Sequence, residues 1–332
     1  MATTTGPAGG PGSGPGSTGP VSTATAPRPT AVGVGAGVGA AVGAYALWGL
    51  FPLYWPLLAP AGSVEILAHR IAWTLVGMLG VLTVLRRWSA LRGLGARTWV
   101  LITTASVLIT VNWGVYIWGV THDRVVDSAL GYYVNPLVSV LLAVLVLHER
   151  LRAAQWAALA VAGVAVVVLT LAAGTLPWIA LVLAGSFGLY GLIKKTVPLE
   201  PVPGLAAEGF LLGPVAVGYL VWLQVAGSDA TGHGTFLGHG VGHALLLAAA
   251  GPVTAIPLLL FAVGARRLPL ATLGLLQYVN PTLQFLLGVV VEHEPMPPAR
   301  WAGFVLVWLA LVVLGVDAVR ARRAAQPTRS MV

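Results

Sequence analysis

Apolar residues in this chain neither alternate nor recur on one helical face; they run on for about twenty positions at a time, and polar residues gather between the runs. Windows of about 19 residues find stretches long enough to cross roughly 30 Å of hydrocarbon. Ten are predicted as membrane helices, near residues 36–58, 63–85, 99–119, 128–147, 154–172, 177–193, 205–226, 241–262, 270–291 and 300–318. Segment one contains Pro52 and Pro56, and segment six is short.

The polar stretches set orientation. With the amino terminus on the cytoplasmic side, 15 of the 18 Lys and Arg fall on that side of the membrane, leaving Arg70, Arg124 and Arg300 outside or within it. An asymmetry of this size predicts an even number of spans with both termini cytoplasmic. Residues 1–30 are Gly, Pro, Ser, Thr and Ala with Arg28 as their one charge, a composition that predicts a disordered tail. Residues 319–332 read as a basic cytoplasmic tail.

Composition agrees: 57% of the 332 residues are hydrophobic and 8% charged, against roughly 25% charged in soluble domains. The net charge of +8 is accounted for by the cytoplasmic loops and calls for no nucleic acid. There is no cysteine, so disulfides and thiolate metal sites are excluded.

The chain also repeats itself. Tyr133-Val134-Asn135-Pro136 returns as Tyr278-Val279-Asn280-Pro281, 145 positions later, and the same offset carries His148-Glu149 onto His293-Glu294 and Trp156 onto Trp301. Upstream the match drifts by two or three residues: Glu65 answers Glu208, and Leu130-Gly131 answers Leu273-Gly274. This predicts a five-helix unit written twice, over 36–172 and 177–318. Five is odd, so the second copy enters from the opposite side, the inverted plan of many secondary transporters.

Five stretches carry a family resemblance: "EILAHRIAW" (65–73), "NWGVYIWGV" (112–120), "LGYYVNPLVSVLLAVLVLHERL" (130–151), "SFGLYGLIKK" (186–195) and "GPVTAIPLLLFAVGARRLPLATLGLLQYVNPTLQFLLGV" (251–289). From about Tyr45 to Asp317 the chain resembles the RarD branch of the EamA-type transporters, in the drug/metabolite transporter superfamily. The resemblance implies an all-α integral membrane fold of ten transmembrane helices in two inverted five-helix EamA repeats, and an inner-membrane permease of the kind often labelled for chloramphenicol sensitivity or resistance.

Polar side chains at membrane depth are functional candidates by default. Glu65 and His69 share a face of segment two and are candidates for proton coupling, with Glu208 in the equivalent place of the second half. The alternative expectation is a structural role, with Glu65 in an ion pair with Arg70 or His69. Asn112 and Tyr116 lie four apart in segment three and are expected to line a cavity, as are Asn135, Asn280, Gln277, Tyr278 and Gln284. Asn135 and Asn280 each precede a proline that frees a backbone carbonyl, so supporting a kink is their alternative role. Gly251-Pro252-Val253-Thr254 with Pro257 reads as a hinge or a packing kink. His233, His239 and His243 read as a loose outer loop more readily than as a metal site, and His148 and His293 as helix-terminus anchors.

No His-Glu-x-x-His, phosphate-binding loop or nucleophile elbow occurs. The expected function is therefore non-enzymatic: a secondary transporter of a small organic solute, with no catalytic residue, metal or cofactor, and with proton coupling as an extension. The partners are the solute and the bilayer, the chain being a monomer or a dimer. Rival readings are an uncoupled exchanger, a non-transporting scaffold or sensor, and an intramembrane enzyme acting on lipid.

Overall fold

The computed structural model describes residues 31–148, 151–194, 196–226, 234–268, 273 and 276–325. The tail at 1–30, His233 and residues 326–332 lie outside them. Among the described residues the chain is helical, without strands.

The first run is broken in two. Helix α1 (Ala31–Gly49) stops before α2 (Phe51–Tyr54), which passes into a 3-10 turn, Trp55–Leu58, with an overall bend of 44°. Pro52 and Pro56 each stand in the first turn of their segment. A proline ring offers no backbone donor to a preceding turn, so the helix restarts at each rather than continuing.

The other helices follow the hydropathy runs: α3 (Ser63–Val84), α4 (Ala96–Val120), α5 (Val125–Leu147), α6 (Ala153–Ala173), α7 (Trp178–Lys194) and α8 (Pro201–Ala226). A short α9 (Thr235–Gly238) precedes α10 (Gly240–Arg267), which stays continuous through Pro252 and Pro257. Then come α11 (Val279–Leu286), ending in a π turn at Leu287–Val291, and α12 (Pro298–Ala325), which carries the last helix into the basic stretch read as a tail.

Seven helices are long and apolar enough to cross a membrane, eight with the bent pair, and α7 and 279–291 are shorter apolar helices. Many large exposed side chains are apolar, among them Val84, Val100, Leu171, Val225 and Val312. Apolar surface on this scale is the outside of a protein solvated by lipid.

Each helix packs mainly across the middle of the chain. α5 lies on α7 and α11 on α1; α1 lies on α10 and α7 on α4; α3 lies on α10 and α4 on α8. The pairs α3·α8, α5·α11 and α6·α12 join helices five apart in chain order when α2 is counted with α1 and the short α9 is left out. Exchanging every helix for its counterpart five helices later leaves these pairings unchanged, while the contact of α3 with α4 stands outside the set. Two backbone details follow the same exchange: His148 and His293 both adopt the left-handed conformation, with φ of 53° and 52°. Non-glycine residues rarely go there except to end a helix, which makes both histidines helix terminators.

The two Asn-Pro dipeptides are not equivalent in place. Pro136 lies inside α5, whereas Pro281 is the third residue of α11. In a first turn the missing N–H has no helical partner to lose, so only the first copy carries a mid-helix proline.

Candidate solute-binding site

Arg70 stands seven residues into α3, about 10 Å from its start at 1.5 Å per residue, and is only 3% exposed. Its guanidinium lies 3.9 Å above the Trp113 ring centre, 5.2 Å from that of Trp55 and 5.5 Å from that of Phe51. Nε donates to Thr254 Oγ1 at 3.0 Å, and Nη1 has no partner among the described residues.

The expected pairing of Glu65 with Arg70 or His69 does not form. Glu65 Oε1 instead accepts from the Thr235 backbone N–H at 3.0 Å and from its hydroxyl at 2.7 Å. The amino terminus of α9 presents these two donors already in place, a better match to a carboxylate than the next turn of its own helix. His243 Nε2 shares the Thr235 hydroxyl at 3.2 Å, so the imidazole linked to Glu65 is His243, on α10, rather than His69. The His69 ring stacks on Phe236 at 4.9 Å and neither ring nitrogen has a partner. His239 and His243 stand with ring centres 5.6 Å apart at the start of α10 and not in a loose loop, and the described residues hold no group of three candidate metal ligands.

Tyr116 and Tyr132 meet edge to face at 5.6 Å. Gln284 Nε2 donates to Tyr116 Oη at 3.1 Å and to Asn280 Oδ1 at 2.8 Å, while its Oε1 is unpartnered. Asn280 thus serves Gln284 one turn on. Asn135 is buried with neither amide atom paired, so it does not support the Pro136 kink. The two repeat tyrosines, Tyr133 and Tyr278, stack on each other at 6.4 Å, and half-buried Gln277 lies beside Tyr278.

Two predicted residues stand apart. Asn112 Nδ2 donates to Leu183 O at 3.0 Å and Ser186 Oγ at 3.1 Å, which ties α4 to α7, leaving its Oδ1 to Tyr132 at 3.4 Å. Glu208, isolated in sequence, is paired with Lys194 Nζ at 2.7 Å and approached by Tyr190 Oη at 3.3 Å. Glu65 lines a cleft of about 470 Å³ together with Ser63, Trp118, His122, Tyr219 and Thr235.

On the side of Glu65 the start of α5 is fastened to the start of α12. Arg300 Nη2 donates to Asp127 Oδ1 at 2.5 Å and reaches Glu294 Oε2 at 3.5 Å; Arg124 holds the other Asp127 oxygen; Glu294 Oε1 accepts from Val126 N at 2.9 Å. Burial pushes the Glu294 carboxyl up to about 7, against opposing help from the Val126 N–H and Arg300. A carboxyl raised in the folded state binds more protons folded than unfolded between about 4.5 and 7, so its contribution is complete below that window and is lost as pH rises through it. Glu294→Gln is therefore expected to flatten a decline in thermal midpoint between pH 5 and 8 worth roughly 3 kcal/mol at most. An unchanged slope in the variant would remove Glu294 as the titrating group.

Comparison with known proteins agrees with this architecture. Residues 35–171 match the EamA-like transporter family. Protein RarD of Streptomyces exfoliatus is 55% identical over 85% of this chain and 88% of its own length. The uncharacterized transporter YojE of Bacillus subtilis is 44% identical over 85% and 94%. One crystal structure, 20% identical, covers 87% of this chain and 98% of its own with a TM-score of 0.54, a likeness of fold. The chain is thus a multi-pass membrane protein and belongs to the RarD-type branch of the EamA-like transporter family.

Proposed function

We propose that the protein is a secondary transporter that moves a small organic solute across the cytoplasmic membrane by alternating access between two inverted five-helix halves. Ten spans are reached by adding α7 and the 279–291 helix to the eight longer ones, and the basic loops place both termini in the cytoplasm. The observation that carries the reading is the set of helix pairings that survives exchange of the halves. A seam with this symmetry has two equivalent ways to close, one sealing each side of the membrane. Buried polar atoms of Arg70, Asn135 and Gln284 without protein partners supply a reason for a solute to stop there.

Coupling to protons is an extension of this reading, and Glu65 is favoured for it because the Thr235 hydroxyl links its carboxylate to His243 next to the cleft. Glu208 is held by Lys194 and His69 is stacked on Phe236, and neither shares a hydroxyl with an imidazole as Glu65 does. Uncoupled exchange would use the same scaffold.

The test is flux in sealed vesicles containing the purified protein, screening amino acids, nucleosides, sugars, organic acids and phenicol drugs with and without a pH gradient. Asn135→Ala is expected to lower flux about tenfold or more with the thermal midpoint nearly unchanged, since its amide gives up no bond within the protein. Normal flux in this variant would remove Asn135 from the site, and absence of flux for every solute with folded protein would favour a scaffold. Flux that follows the pH gradient and stops in Glu65→Gln would establish coupling at Glu65.

A further inference from the structure

We infer that Arg70 is the anion-binding residue of the central site, and that the solute is a small organic carboxylate with an aromatic or apolar body. The inference rests on the transporter reading for its context but on separate observations for its chemistry. A guanidinium about 10 Å inside a helix end costs several kcal/mol unless an opposite charge joins it, and its three aromatic neighbours return only part of that through cation–π attraction. Among the described residues none is paired with it. Glu65 is engaged by Thr235, Glu208 by Lys194, and the single side-chain bond to Arg70 comes from an uncharged hydroxyl, that of Thr254.

Two unpartnered donors belong to this cluster. Arg70 Nη1 and Trp55 Nε1 are both buried without partners, and the indole ring of Trp55 is one of the walls that face the guanidinium. A carboxylate can accept from both, and one negative charge balances one positive charge, so a monoanion suits the site better than a phosphate dianion. The walls of Trp113, Trp55 and Phe51 present flat apolar surface to the rest of the molecule. Gln284 Oε1, unpartnered beyond Tyr116, is an acceptor for a donor group at the far end of the solute.

A structural role for Arg70 predicts a different response to mutation from a binding role. If the charge is kept for a ligand, Arg70→Met removes an uncompensated buried cation while retaining most of the side-chain volume, so the variant folds with an unchanged or higher thermal midpoint and no longer binds. The experiment measures thermal midpoints of the purified full chain in detergent against matched acids and amides: phenylacetate with phenylacetamide, indole-3-acetate with its amide, and butyrate with butyramide. We expect one or more acids to raise the midpoint saturably, the amides to have no effect, Arg70→Met to lose the response, and Arg70→Lys to weaken it roughly 10- to 100-fold. Amides acting as well as acids, no response to any acid, or a full response in folded Arg70→Met would overturn the inference. Should Arg70→Met fail to fold, Arg70→Lys decides: wild-type affinity for the acids counts against the inference, and lost affinity counts for it. Acids that bind without crossing vesicles sink the transporter reading and leave the anion site standing, whereas flux of neutral solutes untouched by Arg70→Lys does the reverse.

Discussion

Lys194→Met will destabilise the protein by about 3–5 kcal/mol, the cost of leaving a buried carboxylate without its partner. Glu208 has 3% of its side chain exposed and Lys194 23%, so solvent can rehydrate the lysine but not the glutamate. Tyr190 at 3.3 Å offers one weak donor in place of the ammonium. Glu208→Gln should cost less than Lys194→Met, because the amide it creates carries no charge to strand. The double variant Lys194→Met with Glu208→Gln should recover more than half of the loss, since no charge remains buried. Thermal midpoints of the four proteins in one detergent close the cycle. Additive losses in the double variant would show that the two side chains are held independently.

The second large effect is expected at Gly251. A Cβ there would lie 2.5 Å from the Trp73 carbonyl carbon and 2.6 Å from its oxygen, both backbone atoms of α3. No rotamer change relieves a clash with a main chain, so α10 would have to move off α3, and the same movement would draw Thr254 away from Arg70. Gly251→Leu should therefore abolish the folded peak in size-exclusion chromatography, a loss of about 3 kcal/mol or more. Gly218→Leu, on an exposed face of α8 with open space around it, is the control and should behave as wild type. A stable Gly251→Leu protein would show that α10 does not rest on the main chain of α3 at this position.

Much of this was legible in the sequence because the bilayer imposes simple rules. Apolar runs of about twenty residues map onto α3 to α8, α10 and α12, since a helix is what satisfies the backbone in lipid. Pro52 and Pro56 marked the break in the first span. The repeated His-Glu marked helix ends, and both histidines adopt the backbone conformation that ends helices. The site was only half legible. Tyr116, Asn280 and Gln284 were named and do meet, yet Arg70 was read through its neighbours in sequence, and its actual partners come from elsewhere: Trp55 from the broken first span, Trp113 from α4 and Thr254 from α10. Contacts across 184 positions leave no local pattern. One signal was available, a cation within a span with no carboxylate three or four residues away on its own helix. Glu208 erred the other way: it was isolated in its segment but paired with Lys194, fourteen positions earlier, across the turn between α7 and α8.

The central claim is that one site is reached in turn from both sides of the membrane. The chain has no cysteine, so a thiol introduced by Asn135→Cys can be read without background. Membrane-impermeant maleimide applied to one face at a time, in vesicles of known orientation, should modify that position from either side. A solute shown to bind should protect it from both. Modification from one face alone, in a folded variant that keeps measurable residual flux, would contradict alternating access at this seam.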